Sequence, residues 1–375
     1  MTIDVSESQP GSQPVETTHS PANPTASRGL SGVGRLLFGG AGLMAGIGAG
    51  VAGYAIFYEP LNIQLERISV RLPHAADRLP PRGLRILHLT DTHFMGRDRR
   101  EQAKINRICR QVADLDYDIL VHTGDFWHVN RGRKNVAALL DALPKPKLAA
   151  YAVLGNHDYT HYSMLEALPR MWRAFQQRER ARNQGGALPR RISPAVMRRF
   201  MHFVRDTPID GRRTGFNDAA ALIDLLKQRG FQILHNQSVH LTARAVPAAG
   251  SAAGSLDIYI AGIDDVVEGR PRIHHALDNV PADAPTILLS HNPDVIRSPR
   301  INQVDLVLAG HTHGGQIVLP FWGPAHTQVE HLERREVAGF FRRGETQIYI
   351  SRGIGEGIPI RFGATPQFAL ITVTA

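Results

Sequence analysis

From residue 61 onward the chain is punctuated by ten short apolar runs: ERISVRL, LRILHLTD, YDILVHTGD, AAYAVLGNHD, FQILHN, LDIYIAGIDD, PTILLSHN, VDLVLAGHTH, QIYISRG and FALITVTA. Each holds four to eight β-formers, which is strand length, and several stop on polar residues. Between them lie turn residues and helical patterns. In EQAKINRICRQVADL, for example, Ile105, Ile108, Val112 and Leu115 recur at helical spacing. Strands of this kind alternating with helices predict an α/β domain with largely buried sheets. Polar residues at strand ends are where such domains bind ligands.

At 375 residues and 43% hydrophobic content the chain can bury one substantial core. A formal charge of +9 implies attraction to anions, whether phosphorylated metabolites, acidic lipid headgroups or nucleic acid. The single cysteine, Cys109, excludes a disulfide framework and reads as a small buried helix residue.

Residues 1–35 are rich in Ser, Thr, Pro and Gln, too poor in large apolar groups to offset the entropy of ordering, and are expected to form a disordered tail. Residues 36–58, Leu36 to Tyr58, run 23 positions without a charge, enough for a helix to cross a hydrocarbon core, so a transmembrane anchor is expected there. Arg28 and Arg35 before it balance Arg67 and Arg71 after it, and no orientation follows. The globular domain is expected over residues 61–375.

Five segments place metal-binding side chains just beyond strand-like runs. They are Asp91-Thr92-His93, Gly124-Asp125, Gly155-Asn156-His157-Asp158, Ser290-His291-Asn292 and Gly310-His311-Thr312-His313-Gly314-Gly315. Phosphate-ester hydrolysis needs a hydroxide at neutral pH and positive charge against the phosphoryl oxygens, and a pair of divalent cations supplies both. Carboxylate, imidazole and amide oxygen together favour Mn, Fe, Zn or Co over Ca. In Asp91-Thr92-His93 and His311-Thr312-His313 an extended backbone would point alternate side chains the same way. The neighbouring glycines suit tight turns, by positive φ or close backbone approach.

These five segments, in this order from Asp91 to His313, resemble the signature of the calcineurin-like metallophosphoesterases. The resemblance implies a four-layer αββα sandwich of two mixed β-sheets. It implies one metal on Asp91, His93, Asp125 and His313 and a second on Asp125, Asn156, His291 and His311, with Asp125 bridging. By the same resemblance His157 faces the substrate as a proton donor, and Asp158 orients His157. Gly262-Ile263-Asp264-Asp265, the run Gly315 to Pro320, and Ser351 to Gly355 with Pro359 to Gly363 look like membrane-associated bacterial members, some of which hydrolyse UDP-2,3-diacylglucosamine in lipid A synthesis. Serine/threonine protein phosphatases of the superfamily carry Asp-Arg-Gly soon after the Gly-Asp segment; here Phe126-Trp127-His128-Val129 follows, which argues against that activity.

Residues 161–215 interrupt the rhythm. They hold twelve arginines against four acids, nearly the whole excess charge, and look like an insertion directly after the Asn156-His157-Asp158 loop. A solvated helical surface is the default reading. A cap gripping an anionic or lipid substrate is the second, suggested by Met171, Trp172, Phe175, Met197, Phe200, Met201, Phe203 and Val204 among the arginines. A nucleic-acid groove is the third, and it would make the enzyme a nuclease or phosphodiesterase. A non-catalytic binding protein would be expected to have lost ligands, and none is lost. His88, His122 and His128 neighbour the ligands and are expected to pack, with tuning of the ligands as the alternative. His274, His275 and His326 have no motif support.

Overall fold

The computed structural model describes residues 46–182, 193–207, 212–244, 255–325, 327 and 329–375. The chain divides into two compact units, Met1–Gly50 and Val51–Ala375. The tail expected over residues 1–35 and residues 36–45 of the expected anchor lie outside the described residues, as do 183–192 and 208–211 of the insertion. Among the described residues no helix is long and apolar enough to cross a membrane.

The second unit is built on two six-stranded sheets. The first comprises β1 (Gln64–Arg71), β2 (Leu84–Leu89), β3 (Ile119–Thr123), β4 (Ala149–Val153), β7 (Phe231–Ile233) and β16 (Gln367–Thr374), in the order β1-β16-β2-β3-β4-β7. The second comprises β8 (Gln237–Arg244), β9 (Ser255–Gly262), β10 (Thr286–Leu289), β11 (Leu306–Ala309), β14 (Gly339–Arg343) and β15 (Thr346–Ile350), in the order β14-β15-β11-β10-β9-β8. Both are mixed. β2, β3, β4 and β7 run parallel while β16 is antiparallel to β2; β9, β10, β11 and β15 run parallel, with antiparallel β8 and β14 at the edges.

The period of two along each strand produces the layers. Leu84, Ile86, Ile119 and Val121 of the first sheet face Ile287, Leu289, Leu306 and Leu308 of the second, all buried in one core between the sheets. The intervening Leu87, Leu89 and Leu120 turn outward, onto α1 (Asp98–Val112), α2 (Arg133–Ala142) and α6 (Ala219–Lys227). Leu288, Val307 and Ala309 face the opposite outer layer, where α7 (Ile273–Leu277) and 3-10 turns carrying Val295 and Ile301 cover them. Each such side chain, buried on either face, contributes about 1.5–3 kcal/mol. Cys109, on α1, is partly buried against the first outer core.

The basic insertion grows from a small antiparallel pair, β5 (Thr160–Tyr162) with β6 (Arg213–Phe216), immediately after the short helix α3 (Asn156–Tyr159). Its described part is a helical pair, α4 (Met164–Arg182) and α5 (Pro194–Asp206). Met171, Phe175 and Phe200 are buried between these helices, with Trp172, Phe203 and Val204 packed around them. Most of the interleaved apolar residues therefore fill the hairpin itself; Met197 and Met201 are exposed.

Candidate metal centre

Every metal-binding segment follows a parallel strand. Asp91-Thr92-His93 follows β2, Asp125 follows β3, Asn156 opens α3 after β4, His291 follows β10 and His311-Thr312-His313 follows β11. The strand ends of both sheets thus supply one site. The backbone there is not extended. Asp91, His93, Asp125, His311 and His313 all have positive φ, between 47° and 71°. This corrects the expectation that alternation along an extended chain aligns the pairs; left-handed turns do it instead. A left-handed non-glycine residue costs roughly 1–2 kcal/mol, and hydrogen bonds to other segments hold Asp91, His93, Asp125 and His311. The Asp91 amide donates to Gly124 O at 3.0 Å, the His93 amide to Asp125 O at 3.0 Å and the His311 amide to Asp91 Oδ2 at 3.0 Å.

Two glycines are required for distinct reasons. Gly124 has φ +92°, and a Cβ there would stand 2.8 Å from His291 Nδ1. Gly155 has an ordinary φ of −109°, but a Cβ would run into the Asp125 carboxylate.

The seven expected ligands come together. Asp91, His93 and His313 form one buried group and Asp125, His291 and His311 another, with the ligand atoms of each within 4.8 Å of one another. Asp125 Oδ2 lies 3.2 Å from both His93 Nε2 and His291 Nε2, so it stands between the groups. Asp91 Oδ1 is 3.6 Å from His93 Nε2 and from His313 Nε2. Asn156 Oδ1 is 3.2 Å from His291 Nε2, and His311 Nδ1 is 3.1 Å from the same atom.

The electrostatics call for cations. Burial pushes the Asp91 and Asp125 carboxyls up, but the surrounding histidines outweigh it and hold both below the usual carboxylate range. Burial pulls His93 and His291 down, yet the two carboxylates lift them to about 9 and about 10. His93 Nε2 and Asn156 Nδ2 are buried with no hydrogen-bond partner, although carboxylate oxygens face the former. Buried polar atoms without partners are costly. A nitrogen and oxygen donor set of this kind fits divalent transition metals.

The outward-facing atoms of the ligands are tied down as well. His291 Nδ1 donates to Thr123 O at 2.8 Å, which leaves its Nε2 facing Asp125, as a donor when the ring is protonated and as a free lone pair when it is neutral. His128, expected to pack with tuning of its neighbours as the alternative, hydrogen-bonds His93. Its Nε2 donates to Tyr162 O at 3.0 Å, so its Nδ1 accepts from His93 Nδ1 at 3.3 Å, which leaves His93 Nε2 toward the carboxylates, a donor to them when the ring is protonated and open to a cation when it is neutral. Burial, helped by His93, holds His128 near 3, so it is neutral. Its place three residues after Asp125, on a loop whose Trp127 pairs with Phe94, was the available signal. His122 packs as expected, stacked on Phe126 at 3.6 Å, and His88 meets Thr123 Oγ1 at 2.8 Å.

His157 stacks on His128 at 4.3 Å and lies edge-on to His93 at 4.6 Å, with its Nδ1 buried and unpartnered. Asp158 does not orient it. The Asp158 carboxylate accepts from the amides of Asp125 and Phe126, both at 2.8 Å, and of Gly155 at 2.9 Å. The helical turn from Asn156 aims that side chain back at the strand ends, away from the imidazole.

Arg361 carries no sequence signal beyond its run, yet it is fully buried. It donates to Arg352 O at 2.9 Å, Gly355 O at 2.6 Å and Ala364 O at 2.9 Å, with His313 Nδ1 at 3.4 Å. Beside His93 a polar cavity is lined by Thr92, Arg97, Arg100, Lys104 and Glu356.

Two mixed sheets whose strand ends deliver adjoining carboxylate and imidazole groups define a metal-dependent phosphohydrolase. The calcineurin-like phosphoesterase family model matches residues 84–315, and the chain belongs to that family. It is 30% identical over 335 residues to the UDP-2,3-diacylglucosamine pyrophosphatase LpxG of Chlamydia trachomatis, a match covering 85% of this chain and 91% of that protein. The LpxG of Chlamydia muridarum is 29% identical over 338 residues, with the same coverage. An uncharacterized metallophosphoesterase of Bacillus subtilis, YkuE, is 26% identical over 346 residues, covering 90% of this chain and 94% of that one.

Proposed function

We propose that this phosphohydrolase cleaves the pyrophosphate bond of a lipid-linked nucleotide such as UDP-2,3-diacylglucosamine, working at a membrane to which residues 36–58 anchor it. The convergence of His93 and His291 on the Asp125 carboxylate, each at 3.2 Å, carries the reading. Arg97 and Arg100, which line the small cavity beside His93, suit an anionic substrate. Relatives named as LpxG support the lipid nucleotide.

In this reading Asp91, His93, Asp125 and His313 would hold one divalent ion and Asp125, Asn156, His291 and His311 the other, with Mn, Fe, Zn or Co as the candidates. Bound there, such ions would acidify water and offset phosphoryl charge. His157, held neutral chiefly by burial, still carries one N–H. It donates to a phosphoryl oxygen or to the leaving group, while stacking on His128 keeps its ring in place.

The test is hydrolysis of UDP-2,3-diacylglucosamine by the purified full chain with added Mn, read as release of UMP and a lipid monophosphate, beside p-nitrophenyl phosphate, bis-p-nitrophenyl phosphate and single-stranded DNA. Turnover of the pyrophosphate far above that of the other three substrates, with slow residual hydrolysis of the bis-p-nitrophenyl ester, is the expected result. Efficient cleavage of DNA with a steep salt dependence would replace this reading with the nuclease one.

A further inference from the structure

Segments far apart in sequence meet around residues 358–363 and leave large apolar side chains in water. The parallel bridge between Ile317 and Phe362, with the Val318 amide donating to Phe362 O at 2.7 Å, lays the hairpin β12 (Val318–Leu319) and β13 (Gly323–Pro324) against one side. The helical turns from Tyr54 to Leu61 lie against the other. The Arg361 amide donates to Ala55 O at 2.9 Å, and the Glu59 carboxylate accepts from the amides of Gly363 at 3.0 Å and Ala364 at 2.9 Å. Tyr54 meets Phe362 edge-on at 6.4 Å.

This clamped assembly exposes Phe57, Tyr58 and Tyr54 from the first segment, Leu319, Phe321 and Trp322 from the hairpin, and Ile358 from the 358–363 segment. Trp322 is 80% exposed and Phe57 71%. Clustered apolar groups at this exposure mark an interaction surface rather than ordinary scatter. We infer that this face sits in the interfacial layer of a lipid bilayer, so that the domain lies against the membrane with its metal centre at headgroup level.

The occupant follows from continuity of the chain. The uncharged run of residues 36–58 ends at Phe57 and Tyr58, within the face itself. Tryptophan and tyrosine are favoured where one end of a ring meets hydrocarbon and the other meets water. Arg100 sits at the edge, donating to Ile56 O at 3.0 Å and to Pro359 O at 3.4 Å, and it also lines the cavity beside His93. A cation bordering an apolar face suits an anionic headgroup. The same segment 353–361 reaches the ligands, since Arg361 contacts His313 Nδ1 and the Gly355 amide donates to Asp91 O at 2.5 Å. The inference rests on the membrane reading above and adds to it a defined orientation.

Tryptophan fluorescence of the full chain in vesicles of phosphatidylcholine and phosphatidylglycerol, brominated at known acyl depths, reads the docking without turnover. Trp127 is buried and Trp172 packs in the α4 and α5 hairpin, so Trp322 is the accessible reporter. Quenching by shallow bromines that disappears in Trp322→Phe is expected; equal quenching in the variant, or none in either protein, overturns the inference even if the enzyme is active. In Phe321→Ser with Trp322→Ser, hydrolysis of a vesicle-embedded diacyl pyrophosphate should fall about tenfold, while hydrolysis of water-soluble bis-p-nitrophenyl phosphate stays unchanged. A parallel loss on the soluble ester, or conversion of a cross-linked dimer to monomer by the same change, would make the face a folding element or an interface between copies and overturn the proposal.

Discussion

Asp158 holds Asp125 by its backbone: the Asp158 carboxylate Oδ2 accepts the Asp125 amide at 2.8 Å and the Gly155 amide at 2.9 Å, while Oδ1 accepts Phe126 N at 2.8 Å. A fully buried carboxylate therefore couples the loops after β3 and β4, which deliver Asp125 and Asn156. Replacing it with an amide puts an N–H₂ group against backbone N–H donors. Asp158→Asn should cost about 1–3 kcal/mol of stability and lower metal occupancy, as read by denaturant unfolding and elemental analysis. Unchanged stability would show that the two loops are held by other contacts.

His128 governs which nitrogen of His93 is free. Without it, His93 Nδ1–H loses its acceptor, and metal affinity should weaken roughly 10- to 100-fold. Chelator competition on His128→Ala measures this. His128→Asn, whose amide oxygen can accept a hydrogen bond, should recover part of the loss, which a purely space-filling role for His128 would not give.

The two central side chains should separate by metal content. Asp125→Asn removes the charge shared by both donor groups and should abolish most activity together with bound metal. His157→Ala should keep the metal and slow turnover by about 10²- to 10⁴-fold, the usual scale of a lost proton donor. Metal analysis alongside initial rates distinguishes them, and a metal-depleted His157→Ala would move His157 from hydrogen-bond donation to ligation.

Asp264 sets an acid limit on stability. Burial raises its carboxyl, but His235 at 3.2 Å, Tyr159 Oη at 2.6 Å and the Arg270 amide at 2.6 Å outweigh that and hold it at about 2, against an ordinary 3.8. The unfolded chain binds this proton first as pH falls, so the stabilisation is complete above about pH 5 and is lost progressively as pH falls through the folded value of about 2. A depression of this size is worth about 2 kcal/mol. Unfolding free energies measured between pH 5 and 2 should fall more steeply in the wild type than in Asp264→Asn, which should already be less stable at neutral pH.

Much of this protein was legible in local patterns. Apolar runs of strand length, such as TILL before Ser290 and LVLA before Gly310, announced buried parallel strands, because a strand covered on both faces has no polar side to show. The residues that converge at the strand ends were legible for a similar reason: carboxylates and imidazoles at strand ends have few other uses in such numbers. Tertiary structure decided what depends on direction. Left-handed φ at Asp91, His93 and His311 turns these side chains into the cluster, and it is maintained by hydrogen bonds to residues that follow other strands. The His128 contact to His93, the backbone clamp of Asp158 on Asp125 and the packing of Tyr54 against Phe362 join positions that are distant in the chain or that point away from their sequence neighbours. A one-dimensional pattern records which side chains are available; only the packed sheets determine which atoms they meet.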